Sequence, residues 1–334
     1  MSARGARPLL AWSSDHFSFP LAESHPFPLA KYTLVRERLL ADRVLEPGWI
    51  TRSDPAPEDW LLAAHDAAYV SRSLRGEWSD TDIRRLGLPW SPELLTRARA
   101  ALWGTVQASR AALAHGVAGN LAGGTHHAFP NRGEAYCLFN DFAVSVALLR
   151  RDGLARRPFV LDLDVHQGNG TAACFAGDPS VFTFSLHARH NYPLRKERGT
   201  LDVELEDGAG DDDVLAALDL HVPAALDSHA PDVVFYQAGV DALASDRLGR
   251  LRMTHAGLAE RDRRVFAWLE SRGLPVCVTL GGGYGRPLED TVEAHANVWR
   301  AARSARDRRP DVPIASDSGV SSKLESGAPS RLAR

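Results

Sequence analysis

The chain has 334 residues, 44% of them hydrophobic and 24% charged, an ordinary make-up for a globular protein with a core that needs no disulfides. Its 39 basic residues against 42 acidic ones leave a net charge of −3. That balance argues against nucleic-acid binding through bulk charge and against a polybasic membrane surface.

The first seven residues read as loose chain. Apolar residues then recur at helical spacing over Pro28–Arg43, Pro92–His115 and Asn140–Arg151. Four short runs rich in β-branched and apolar residues follow: Phe159–Val165, Val181–Leu186, Val233–Gln237 and Val276–Leu280. Helical stretches separate them, at Asp211–Ser228, Thr254–Ser271 and Leu288–Ala302. Continuous apolar runs alternating with helices predict buried parallel strands, hence an α/β fold of three layers, α/β/α, around a mainly parallel sheet. No composition break divides residues 8–302, so they are expected to form one domain. Residues 303–334 are rich in Ser, Pro, Arg and Asp without apolar period and are expected to be a disordered tail. No internal repeat is present. Residues 1–19 hold no sustained apolar run and no stretch approaches ~18 apolar residues. Neither a signal peptide nor a membrane span is expected, and the expected location is the cytoplasm. Cys137, Cys174 and Cys277 lie far apart with no CxxC pair, so neither a disulfide framework nor a thiolate zinc site is expected.

In open parallel sheets ligands bind beyond the carboxyl ends of the strands. The first run leaves through Asp162-Leu163-Asp164-Val165-His166-Gln167-Gly168-Asn169-Gly170. The others leave through Ser185-Leu186-His187, Gln237-Ala238-Gly239-Val240-Asp241 and Gly281-Gly282-Gly283-Tyr284-Gly285. Strand alternation would place Asp162, Asp164 and His166 on one face. Two carboxylates and an imidazole crowded there would stay desolvated and repel unless a cation joined them. Zinc or a similar divalent ion suits that donor set; the other reading is a strand end whose acids cap the next helix. Asp241, taken alone, reads as a helix cap or turn residue, but its place beyond a parallel strand favours a third ligand. Three protein ligands would leave a position open, as in catalytic rather than structural zinc sites.

Gly123-Gly124-Thr125-His126-His127-Ala128-Phe129 lies after a long helix. Adjacent histidines between glycines and an apolar pair suit general acid–base work near neutral pH. The loop at Gly281–Gly285 delivers a phenol, Tyr284, that could donate to a developing oxyanion. It lacks the spacing of a phosphate-binding loop, and no GxSxG elbow occurs.

Taken together, HPFPLAKY (His25–Tyr32), LLAAHDAAYV (Leu61–Val70), GGTHHAF, YCLFND, LDLDVHQGNG, FSLH, YQAGVDALASD and GGGY resemble the histone deacetylase family of the arginase/deacetylase superfamily. The GGTHHAF and HQGNG forms are most similar to its class IV branch and bacterial relatives. The resemblance implies zinc, with ferrous iron as the alternative, on Asp164, His166 and Asp241. It implies a catalytic pair at His126 and His127, with Asp162 behind His126, and Tyr284 on the substrate carbonyl. It also implies a potassium ion held by side chain or backbone of Asp162, Asp164, His166, Ser185 and Leu186. Tyr136 and Tyr192 would wall an acyl-lysine tunnel, with Gly283 beside the substrate. Many members carry Asp where this chain has Asn169; an amide cannot stabilise an imidazolium as a carboxylate does. The implied activity is metal-dependent hydrolysis of an N-acyl amide, on acyl-lysine in proteins or on an acetylpolyamine or other small N-acyl amine. A zinc-containing acyl-lysine binder with little catalysis is the rival. No nucleic-acid or membrane partner is expected, and no oligomeric state is indicated.

Overall fold

A computed structural model describes residues 7–309. Their core is one eight-stranded sheet, parallel at every pairing. The strands are β1 (Leu10–Ser13), β2 (Ile50–Arg52), β3 (Val117–Asn120), β4 (Pro158–Asp162), β5 (Phe182–Ala188), β6 (Leu201–Leu205), β7 (Val233–Gln237) and β8 (Val276–Thr279), in the order β2-β1-β3-β8-β7-β4-β5-β6. The helices are α1 (Lys31–Ala41), α2 (Glu58–Leu61), α3 (Ala67–Arg75), α4 (Asp80–Leu86), α5 (Pro92–His115), α6 (Asp141–Arg151), α7 (Asn169–Cys174), α8 (Asp211–His229), α9 (His255–Ser271) and α10 (Leu288–Arg308).

Each central strand is buried on both faces, and alternate residues serve different helical layers. Phe159, Leu161, Val234 and Tyr236 face α1, α8, α9 and α10, whereas Val160, Val233 and Phe235 face α5 and α6. This is the expected three-layer arrangement. The four expected strands are β4, β5, β7 and β8; the sheet adds β1, β2, β3 and β6. α5 spans Pro92 to His115 as expected: Ser91 caps it by accepting from Leu94 N at 3.0 Å, proline opens its first turn, and Gly116 follows at φ 84°.

One expected boundary is corrected. The last helix does not stop at Ala302 but runs to Arg308, six residues into the segment read as tail. Ala302, Ala305 and Arg306 are buried, so the inner face continues in two alanines and an arginine that a count of large apolar side chains passes over. Residues 310–334 lie outside the described residues. Among the described residues no helix is long and apolar enough to cross a membrane.

A buried ion pair ties the helical layer to the strand ends. Arg261 of α9, 1% exposed, donates to Gly239 O at 2.6 Å and Leu163 O at 3.4 Å, and pairs with Asp262 at 2.9 Å. Asp262 also accepts from Tyr236 Oη at 2.5 Å. The two carbonyls belong to the chain leaving β4 and β7. Removing one partner of a buried pair leaves an uncompensated charge. Arg261→Met should therefore cost about 3–5 kcal/mol, read as a lower urea midpoint; an unchanged midpoint would show that the pair does not brace the strand ends.

Candidate active site

The polar ends of β4, β7 and β8 meet on one rim. Strand alternation is not what aligns them, because β4 ends at Asp162. Asp164 and His166 stand in the following loop, held by a chain of side-chain-to-backbone bonds. Asp162 accepts from Asp164 N at 3.1 Å, Asp164 from His166 N at 3.0 Å, and Asp241 from Val165 N at 2.9 Å. Such short polar side chains turn the backbone locally. The result gathers one ligand atom from each of Asp164, His166 and Asp241 within 4.8 Å of one another. His166 Nδ1 lies 3.0 Å from Asp164 Oδ1 and 3.2 Å from Asp241 Oδ2. Gly282 closes over them and donates its N–H to Asp164 at 2.7 Å. A Cβ there would stand 1.9 Å from an Asp241 oxygen, so only glycine allows this approach.

The electrostatics of the three groups fit a divalent cation. Burial, then the neighbouring Asp164 charge, pushes Asp241 up to about 7. Burial would depress His166, yet its bonds to Asp164 and Asp241 raise it to about 10. Two carboxylates and an imidazole buried this close form a donor set that a divalent ion suits.

The histidine pair enters from the loop after β3. Asp141, at the first turn of α6, accepts from Gly124 N and Thr125 N at 2.8 Å each and from Thr105 Oγ1 at 2.6 Å. Gln237 at the end of β7 donates to Gly124 O at 2.8 Å. The rings of His126 and His127 lie 4.0 Å apart, both buried. His126 Nδ1 is 2.7 Å from Asp162 and His127 Nδ1 is 2.6 Å from Asn169 Oδ1. Their charge states diverge. Burial disfavours an imidazolium at both, but Asp162 and Asp164 overcome it at His126, which rises to about 9. At His127 burial acts with the charges of His126 and His166 and drives the value well below the ordinary histidine range.

A cavity of about 390 Å³ opens over these groups, in the range of small-molecule sites. His126, His127, Asp164 and His166 form its floor; Tyr136, Tyr192 and Tyr284 form its walls with Phe27 and Tyr32. Tyr136 and Tyr284 have ring centroids 6.0 Å apart, and Tyr192 meets His127 edge-on at 5.1 Å. Burial, then the charge on Asp164, raises the Tyr284 phenol well above its ordinary value, so it is a neutral donor. Gly281 and Gly282 line the cavity, and a Cβ on the next residue, Gly283, would meet Thr291, Val240 and His295. Ser185 stands opposite Asp162 in the β4–β5 register, with Leu186 next to it on β5.

Three further residues support the site without having been singled out from the sequence, although Lys31 and Asp246 lie within HPFPLAKY and YQAGVDALASD. Asp246 accepts from Tyr284 N at 2.6 Å and so fixes the tyrosine loop. Lys31 is buried, donates to Gly281 O at 3.0 Å and lies 5.4 Å from the Tyr284 ring centroid. Glu134 is buried and accepts from Asn169 Nδ2 at 3.0 Å and from Tyr192 Oη. Each is far in sequence from the group it touches, so the fold is what reveals the contact.

The histone deacetylase domain model matches residues 25–301. An uncharacterized protein of Picosynechococcus sp. is 43% identical over 284 residues, covering 85% of this chain and 95% of that protein. Histone deacetylase 2 of Arabidopsis thaliana is 30% identical over 296 residues, 84% of this chain and 76% of that protein. A crystal structure of a histone deacetylase homolog from Aquifex aeolicus matches with a TM-score of 0.75 at 23% identity, over 89% of this chain and 84% of that one. The likeness in fold, the domain match and these relatives together establish that the chain belongs to the histone deacetylase family.

Proposed function

We propose that this deacetylase-family site hydrolyses the amide of an N-acyl-lysine, with His127 as the base and Tyr284 as the carbonyl's donor. The observation that carries the reading is the geometry of two adjacent buried histidines in one cavity with Asp164 and His166, one ring backed by a carboxylate and the other by an amide. His126, paired with Asp162 at 2.7 Å, stays protonated at neutral pH and places fixed positive charge beside the reacting atoms. His127 is neutral. Its Nδ1 faces Asn169 Oδ1, so Nε2 is free to accept a proton.

The residues that would hold a divalent ion are Asp164, His166 and Asp241, and zinc, with ferrous iron as the alternative, would supply Lewis acidity toward the acyl carbonyl and water. His127 Nε2 takes the water proton as the oxygen bonds to the acyl carbon. The Tyr284 hydroxyl donates to the carbonyl oxygen as it gains negative charge. When the C–N bond breaks, the proton on His127 passes to the departing amine, and the depressed basicity of the ring favours that return. Asp162, Asp164, His166, Ser185 and Leu186 would hold a potassium ion.

The cavity lining also bears on the substrate. Arg84 and Arg85 contribute to it, and its acidic lining residue, Asp164, belongs to the metal set. A polyamine carries several positive charges, which such a lining repels. An acyl-lysine whose neighbours are neutral or acidic meets no such penalty. Acetyl-lysine peptides should therefore be turned over with a higher kcat/KM than acetylated spermidine; the reverse order would move the substrate to small amines.

Two substitutions separate chemistry from metal binding. Tyr284→Phe should lower kcat about 10²–10³-fold while metal content per chain stays that of the wild type; near-normal turnover would remove Tyr284 from the reaction. Asp241→Ala should abolish both retained divalent ion, measured by elemental analysis, and deacylation. Full metal retention in that variant would overturn the ligand set.

A further inference from the structure

Behind the second histidine stands an amide, Asn169, not a carboxylate. The structure answers with a carboxylate one step further back. Asn169 Oδ1 is 2.6 Å from His127 Nδ1, and Asn169 Nδ2 is 3.0 Å from Glu134 Oε1. Tyr192 Oη donates to the same oxygen, and Arg132 Nε donates to Glu134 Oε2 at 3.1 Å. Three donors converge on Glu134, which is 8% exposed and acts only as an acceptor.

That polarity sets the orientation of everything in front of it. A carboxylate can receive only the NH₂ end of an amide, so Asn169 must turn its oxygen to His127. An amide oxygen can only accept, so His127 must carry its proton on Nδ1. Nε2, the atom facing the chemistry, is left with its lone pair. Each link follows from donor and acceptor inventory, and the chain of bonds polarises in one direction.

The backbone that delivers Glu134 is under strain. Glu134 and Cys137 exchange backbone hydrogen bonds at 2.9 Å, closing a tight turn over Ala135 and Tyr136. These two residues hold φ values of 43° and 68°, left-handed conformations that non-glycine residues rarely adopt. Backbone strain of this kind persists where the surroundings over-determine it, which is common at functional sites. Here the turn places Glu134 behind the histidine and Tyr136 in the cavity wall.

We propose that Glu134 is a positioning residue: through Asn169 it holds His127 in the Nδ1-protonated tautomer and lends it the negative charge that position 169 lacks. This rests on His127 being the base of the proposed deacylation. The kinetic test is a double-substitution cycle on the full, metal-loaded chain with an acetyl-lysine peptide. Glu134→Gln lets the Asn169 amide turn either way and should lower kcat about 10–100-fold with little change in KM. Asn169→Asp alone sets two carboxylates face to face and should also lower kcat. The pair Glu134→Gln/Asn169→Asp restores one carboxylate behind His127 with an amide to support it. It should return kcat to within a few-fold of the wild type, so each substitution is harmful alone and beneficial in the presence of the other. Recovery in the double variant excludes misfolding as the cause of the single losses. Losses that simply multiply would overturn the proposal.

The second readout does not depend on turnover. Side-chain ¹⁵N spectra of histidine-labelled protein should show His127 protonated at Nδ1 in the wild type and as a mixture of tautomers in Glu134→Gln. An unchanged tautomer in that variant would refute the role of Glu134. A wild type that hydrolyses no acyl amide would refute the base assignment instead, and the spectra would still decide the tautomer.

Discussion

Two carboxylates and an imidazole share one buried rim, and the rest of the site is arranged around their mutual cost. Asp164 and Asp241 are both essentially without solvent contact, and each reaches the same nitrogen of His166 within about 3 Å. Like charges this close and this dry are tolerable only when cationic charge joins them. The raised values of Asp241 and His166 express that demand in protons, and a divalent ion is the substitute that the donor set suits.

The architecture serves this cluster from several directions. The parallel sheet brings the carboxyl ends of β4, β7 and β8 to one edge, and Arg261 braces the first two from beneath by binding carbonyls of the chain leaving them. Gly282 closes the top at a distance no side chain would permit. Asp141 holds the loop that carries His126 and His127, and Asp246 holds the loop that carries Tyr284. The two histidines differ in what stands behind them and in the charges beside them, Asp164 near His126 and His126 and His166 near His127. Asp162 backs one ring and an amide backs the other, which favours an imidazolium at His126 more than at His127.

Much of this was open to a reading of the residues. β4, β7 and β8 announce themselves as short, wholly apolar runs, and α5 is bracketed by Ser91, Pro92 and Gly116. The grouping of Asp164, His166 and Asp241 was visible because all three stand just past strand ends. The strands that escaped notice are physically weak signals. β3 is Val-Ala-Gly-Asn, and its Gly119 is small because Trp299 of α10 lies against it. β1, β2 and β6 are three to five residues long, and β2 and β6 lie at the sheet edges where polar residues are tolerated. Glu134 lay beyond reach for a different reason. Its partner Asn169 is 35 positions away, and nothing in its own neighbourhood marks it. Conversely, the alternation argument for Asp162, Asp164 and His166 reached a sound grouping by a mechanism the structure replaces, since β4 has already ended and side-chain-to-backbone bonds do the aligning.

The dependence of the site on a cation is tested most directly by thermal unfolding of chelator-stripped protein, before and after titration with Zn²⁺. A ligand that binds only the folded state raises its stability by mass action. The melting temperature should rise until one ion per chain is bound and then continue upward only slowly with free ion, and Asp164→Asn should erase the response. A stripped protein that melts at the same temperature with and without the ion, and retains none after dialysis, would contradict the account.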